Sequence, residues 1–282
     1  MSDPASLLAA GDLAGALHAL KQQVRQRPDD AKLRIFLFQL LAVLGDWKKS
    51  LEQLEVCGQL DAGTLAMVAT YRAAVQCETL RDAVFAGRTT PIVFGRPQSW
   101  VALLVQALRD DAAGEAAAAA AHRAQAFDDA PASAGTLDGQ PFAWIADADS
   151  RLGPLLEVVI GGRYGWLPFE AIASLELQPP EDLRDLVWAP AHLGFAQGGD
   201  TVALVPVRYA GTAEQDDGAL RMARRTEWLA IADGQFRGLG QRLLATESRE
   251  VGLLECRSLR MAGLPGGPAD HNPVGGGQPP AT

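Results

Sequence analysis

The sequence predicts an α+β, multidomain chain: a helical repeat array over residues 1–130, a small strand-rich, partly closed β-barrel-like domain over 131–261, and a disordered Gly/Pro-rich tail over 262–282. Three observations carry this prediction. A segment near the N-terminus repeats itself 34 residues later. The apolar period shortens from helical to strand-like in the second half. Between the two regimes, around Asp128–Gln140, the chain turns to Pro, Ser, Gly and Asp, which reads as a linker. The length of 282 residues suits two compact units better than one.

In order along the chain, the first element is the repeat. Gly11-Asp12-Leu13-Ala14-Gly15-Ala16-Leu17 is echoed by Gly45-Asp46-Trp47-Lys48-Lys49-Ser50-Leu51. Glycine tolerates the positive φ of a turn between antiparallel helices, and aspartate caps the helix that follows. Leu13, Ala16, Leu17, Leu20 and Val24 then form one apolar stripe, closed by Pro28 and Asp29. The next helix carries Leu33, Leu37, Leu40, Leu41 and Leu44, which shift onto Met67, Tyr71, Ala74, Val75 and Glu78, so four of the five apolar positions recur. A period of 34 is that of tetratricopeptide repeats, and residues 11–78 resemble them, with Phe38 standing where a small residue is usual and Ala62 where Pro28 has its equivalent. Such arrays stack into a curved scaffold with an extended concave face that binds peptides and helices. Arg34, Phe38 and Leu41 lie on the helix that usually lines this face, which makes them the first candidate binding residues; the same spacing also fits plain core packing. Helical pattern continues through Trp100–Leu108 and the alanine run Ala116–Ala121, with a turn at Asp110-Asp111 and Gly114.

Beyond the linker, Leu155–Ile160, Gly161-Gly162 and Arg163–Leu167 read as a β-hairpin, because two glycines supply the positive φ values of a two-residue turn. Pro168 halts the second strand. Thr201–Val207 is another strand, Arg242–Ala245 and Val251–Cys256 form a closing hairpin, and a helix is expected near Leu220–Ile231. Several short strands with turns fit a partly closed barrel.

Composition narrows the function. A net charge of −9 and a pI near 5.0 exclude a sequence-independent grip on nucleic acid or on an anionic membrane, which needs clustered cations. Arg221, Arg224 and Arg225 are the nearest approach to a basic cluster, and Glu227 follows them. No apolar run is long enough to span a bilayer, and Met1–Leu13 lacks the basic flank of a secretory signal, so a cytoplasmic location is expected. Cys57, Cys77 and Cys256 show neither close pairing nor a CxxC, encoding neither disulfides nor zinc. His18, His122, His192 and His271 form no HxxxH or HExxH pair, and phosphate-loop and GxSxG patterns are absent. Gly238-Leu239-Gly240 lacks the third glycine of a dinucleotide fingerprint. A metal-dependent hydrolase would have to start from Asp147 and Asp149, with Glu170 and His192 in support, yet Arg151 offers a plain ion-pair partner and such carboxylates commonly serve turns. No catalysis and no cofactor are expected.

Three stretches carry a further resemblance: Asp147–Pro154, Gly162–Glu170 and Arg184–Pro190, with Val205–Tyr209 as a fourth. With the helical half in front, they resemble the ImpE family, also called TagJ or SciE-type proteins, up to about Met261; Gly165 departs from the bulkier residue usual there. The resemblance implies an accessory component of the bacterial type VI secretion system. It further implies that the partner is the N-terminal helix of the small sheath subunit TssB, with an indirect connection to sheath recycling by the ClpV ATPase. Tyr164, Trp166, Phe169 and Trp188, clustered with Trp144 in the strand-rich half, are the second set of candidate partner-binding residues, although large aromatics also fill cores. A general tetratricopeptide-type scaffold for another secretion-linked partner is the alternative.

Overall fold

The computed structural model describes residues 3–96 and 98–262; the Gly/Pro tail from residue 263 onward lies outside the described residues. Five helices open the chain: α1 (Pro4–Ala9), α2 (Leu13–Gln26), α3 (Ala31–Val43), α4 (Trp47–Leu60) and α5 (Leu65–Phe85). The sequence echo marks equivalent turns. Gly11 and Gly45 adopt φ of 82° and 73°, and the carboxylates of Asp12 and Asp46 accept from the backbone N–H groups of Gly15 and Lys49 at 2.8 and 3.3 Å. A short strand, β1 (Ile92–Val93), precedes α6 (Ser99–Ala113) and α7 (Ala116–Asp129). α6 runs through Asp110-Asp111, so only Gly114, at φ 81°, breaks the chain there.

Strands then take over: β2 (Gly135–Leu137), β3 (Gln140–Phe142), β4 (Ile145–Asp147), β5 (Leu155–Ile160), β6 (Arg163–Pro168), β7 (Ile172–Leu177), β8 (Trp188–Phe195) and β9 (Asp200–Pro206). A four-residue helix, α8 (Gly218–Arg221), leads into β10 (Thr226–Ala232), β11 (Gln235–Gly240), β12 (Leu243–Thr246), β13 (Glu250–Gly252) and β14 (Ser258–Met261). The expected linker is thus shorter than Asp128–Gln140. The helix reaches Asp129, and Asp138-Gly139, both at positive φ, turn the β2–β3 hairpin inside that stretch. The helix expected over Leu220–Ile231 is also corrected. Ala223 at φ 53° ends α8, and the β-prone run Thr226–Ala232 pairs with β11 across Asp233-Gly234.

The main sheet has nine strands in the order β1-β6-β5-β9-β8-β7-β14-β2-β3, antiparallel except for β1 against β6. Its ends, β1 and β3, do not meet, so the sheet is open where barrel-like closure was expected. The Gly161-Gly162 hairpin forms as anticipated, with φ of 56° and 74°. At Gly165 a Cβ would sit 2.4 Å from the Ile92 carbonyl oxygen; the departure from a bulkier residue is what admits β1 at this edge.

Both faces of the central strands are buried. On β5 and β6, Leu155, Val159, Tyr164 and Trp166 join the helical core, whereas Leu156, Val158 and Leu167 join a second core closed by Leu244, Leu253 and Leu259. Double burial explains why Leu155–Ile160 reads as a nearly continuous apolar run instead of an alternating one. The helices and the sheet therefore share one core.

Candidate partner-binding surface

The seam between helices and sheet is held by charges that solvent does not reach. Glu157, at the middle of β5, points toward α5, where Arg81 donates to its two carboxylate oxygens from Nε and Nη2 at 2.7 and 2.9 Å. The Tyr164 hydroxyl donates to Glu157 Oε1 at 2.5 Å, Trp166 Nε1 donates to that hydroxyl at 2.9 Å, and Arg242 pairs with both Glu157 and Asp147. Glu78 accepts from Trp188 Nε1 at 2.7 Å and from Arg81 Nη1 at 3.3 Å. Arg208 donates from Nη1 to the Val43 carbonyl at the end of α3 at 2.7 Å, and Arg81 Nη2 donates to the Arg208 carbonyl at 2.7 Å. Burial by itself would raise the Glu157 carboxyl, but the Arg81 and Arg242 guanidiniums outweigh it and hold it at about 2. Burial pushes Asp147 up to about 6 against the pull of Arg242. Asp82, half-buried beside Glu78, rises to about 6, chiefly through burial.

Asp147 and Asp149 are both consumed by this architecture. Asp147 receives Arg242 and the Asp149 N–H; Asp149 binds Arg151 in a fork, with Nε at 2.9 Å and Nη2 at 2.6 Å, and also accepts from the N–H groups of Arg151 and Gly238. The Arg151 guanidinium lies 4.7 Å from the Phe85 ring centre. Glu170 accepts from Gln98 at 2.7 Å, and His192 sits at the surface beside Asp200. Asp147 and Asp149 thus accept from arginines and backbone amides, and Glu170 from a glutamine side chain. His122 contacts Asp110 at 2.7 Å. Cys57, Cys77 and Cys256 are buried, and burial raises their thiols to about 11, 11 and 12. Arg221, Arg224 and Arg225 bind the Ala213 carbonyl, the Leu8 and Ala9 carbonyls, and Asp217 with Glu227 respectively; α8 is too short to carry them on one face.

Six of the seven candidate binding residues are core. Phe38, Leu41, Tyr164, Trp166, Phe169 and Trp188 are all buried, leaving Arg34 partly exposed, where it donates to the Pro28 carbonyl and to Gln53. The reason is intramolecular. The faces of α3 and α5 that a free repeat array would present are covered by the 3-10 turn Leu183–Leu186 and by Trp188. Trp188 packs 6.0 Å from Tyr71 and 5.9 Å from Trp47, Phe38 packs 5.8 Å from Tyr71, and Arg184 lies over the Tyr71 ring at 4.7 Å. Of the four strand-region tryptophans, Trp166 and Trp188 are buried, Trp228 is half-buried and Trp144 is exposed.

What stays open lies on the other flank of α5. The helices cover only part of the inner face of the sheet. Past α5, Val159, Pro190, Val202 and Leu204 continue that face and form the floor of a hollow of about 550 Å³, walled by Ala69, Thr70 and Ala73 of α5 and by the Gly161-Gly162 turn. Val202 is 76 % exposed on this floor. The turn touches α5 at Ala73; beyond it a second hollow of about 210 Å³ continues along Gln76, Cys77 and Leu80 to Ile92 and Arg163. None of these residues stood out in the sequence. An exposed valine in a strand and alanines in a helix look the same whether or not another element covers them.

Comparison with known proteins agrees with this architecture. The family model described as "ImpE protein" matches residues 139–260, and a tetratricopeptide-repeat model matches residues 7–73. A curated relative from Pseudomonas aeruginosa strain PAO1, "Type VI secretion system accessory component TagJ", is 55 % identical over 253 residues, covering 90 % of this chain and 89 % of the relative. The chain belongs to the ImpE family. A crystal structure of protein VPA1032 from Vibrio parahaemolyticus superposes with a TM-score of 0.84 at 23 % identity, covering 92 % of this chain and 97 % of the other, which establishes the shared fold. Most of the ImpE match falls on the strand-rich half, including Asp147, Asp149, Arg151, Glu157, Tyr164, Trp166 and Trp188, the residues that build the buried seam.

Proposed function

We propose that this ImpE-family chain is a non-enzymatic accessory adaptor of a bacterial type VI secretion system, acting in the cytoplasm. In this reading it seats the N-terminal helix of the small sheath subunit TssB beside α5, which links it to sheath assembly or to ClpV-dependent recycling. Membership alongside TagJ supports the system. The uncovered apolar sheet face supports the mode of binding, and it is the observation that carries the proposal. Sheet faces of this kind are stable when another element packs on them, and α5 already shows how a helix does so here. An amphipathic helix laid parallel to α5 would extend the helical layer, with apolar anchors at i, i+3, i+4 and i+7 packing on the exposed Val202 over the buried Val159 and Leu204. No helix of the described residues is long and apolar enough to cross a membrane.

The test is isothermal titration of the purified protein with a peptide covering the N-terminal helix of TssB from the same genome, beside a scrambled control. Saturable, sequence-dependent binding supports the adaptor reading. Absence of binding to the peptide and to intact sheath subunits removes this partner.

A further inference from the structure

From the charge around the open hollows we infer that their occupant is an amphipathic helix whose apolar stripe is flanked by carboxylates, an inference that rests on the proposal that a helix binds there. The chain carries a net charge of −9, yet no acidic side chain lines either hollow. Along the exposed side of α5, Leu65, Ala66, Ala69, Thr70, Ala73, Gln76 and Thr79 are uncharged, and the charge there belongs to Arg72. Glu78, the one carboxylate between Leu65 and Thr79, is turned inward to Trp188 and Arg81.

Across the hollow, Arg163 leads β6 away from the Gly161-Gly162 turn and lines the second hollow. Arg72 and Arg163 are both exposed. The ion pairs nearby are His192 with Asp200, beside Val202 on β8 and β9, Arg184 with Asp182 and Arg81 with Glu157, and among the described residues neither Arg72 nor Arg163 takes part in one. Arg163 thus lines the second hollow and Arg72 stands beside the track on α5, two cations without ion pairs next to apolar hollows in an acidic protein. Leu65, Ala69 and Ala73 recur every fourth residue, giving a track of about 12 Å at about 1.5 Å per residue up to the Gly161-Gly162 turn, enough for about two turns of a partner helix, and Gln76 to Leu80 carry the apolar side of α5 on beyond that turn. Small side chains along the track let a second helix approach closely, and Val202 and Ile92, both exposed, receive its larger anchors. Carboxylates on the flanks of that helix would then face Arg72 and Arg163, setting register and orientation more than raw affinity.

Two designed amphipathic peptides with identical apolar positions, one with Glu and one with Lys on the flanks, would be titrated into the full-length protein at low and high salt. The acidic peptide should bind roughly ten-fold more tightly than the basic one, a margin that shrinks with salt. Ala69→Gln, at an exposed position on the track, should weaken it several-fold, and the double variant Arg72→Glu, Arg163→Glu should reverse the preference while circular dichroism and melting stay unchanged. Equal affinity for the two peptides, binding to neither, indifference to Ala69→Gln, or a preference that survives the double charge reversal would each overturn the inference. This outcome is separable from the partner assignment. Binding of the TssB peptide without charge dependence would leave the adaptor reading standing, whereas selective binding of the acidic peptide without binding of TssB would leave the groove and remove the named partner.

Discussion

The two sides of α5 do opposite things. Its inner side presents Tyr71, Glu78 and Arg81 to Glu157, Tyr164, Trp166 and Trp188; all are buried, Tyr71 by ring packing against Phe38 and Trp188 and the others with hydrogen bonds to one another. Its outer side presents Ala69, Thr70 and Ala73 to a partly bare sheet face where Val202 meets solvent. Chemically conspicuous residues thus join the two halves of the protein, while plain ones form the surface left for a partner. The lesson concerns where function is sought. Buried ion networks fix one arrangement of the halves at high cost if broken, whereas a docking face needs shape and an absence of competing charge.

That contrast makes the inner side the place where substitutions cost most. Glu157→Gln leaves Arg81 and Arg242 sharing fewer buried counter-charges and should lower unfolding stability by about 3–5 kcal/mol in chemical denaturation. Trp188→Ala removes a fully buried indole and the donor to Glu78, for a loss of about 3–5 kcal/mol, whereas Trp144→Ala, at a half-open position, should cost less than about 1 kcal/mol. Similar losses for the two tryptophans would break the comparison.

The pH dependence follows from the same seam. Glu157 is held at about 2 in the folded protein, below its ordinary value of 4.5, so its contribution is complete above pH 4.5 and drains away as pH falls toward 2. Asp82 has the opposite sign. Its folded value of about 6 exceeds the ordinary 3.8, so the folded protein gains stability as pH falls from about 6 to about 4. Asp147, also raised to about 6, acts in the same direction, so melting temperature should change little or rise slightly between pH 7 and 5 and drop steeply below 4.5; Asp82→Asn should remove its own share of the mild-acid gain, leaving that of Asp147, without touching the steep limb. A smaller effect is expected at the repeat turns, where Asp46→Ala removes the cap of α4 and should cost about 1 kcal/mol in the same denaturation experiment.

Much of the fold could be read directly from residue patterns. The Gly-Asp echo located two equivalent helix starts, and Gly161-Gly162 located the central hairpin, because each turn demands a backbone conformation few residues adopt. Patterns failed where two structures share one signature. The helix expected near Leu220–Ile231 runs over most of β10, and the decisive Ala223 at positive φ leaves no mark in the sequence. Sheet closure is likewise a property of distant strand pairing and not of any strand. The candidate site was less legible still. Phe38 and Leu41 do lie on a repeat-array face, but Phe38 packs on Tyr71 and Tyr71 on Trp188, 117 residues further along the chain, a contact that local periodicity does not encode. The open surface, made of alanines, glycines and a valine, carries no chemical signature and became visible only as an unfilled place beside α5.

The central claim, that the inner side of α5 joins and the outer side binds, is tested most directly by hydrogen–deuterium exchange of the intact protein with and without the N-terminal peptide of TssB. Protection should appear in the segments 65–80, 159–163 and 202–204 and leave the seam around Glu157 and Trp188 at its slow, unchanged rate. Protection confined to another surface, or loosening of the seam on binding, would contradict the account.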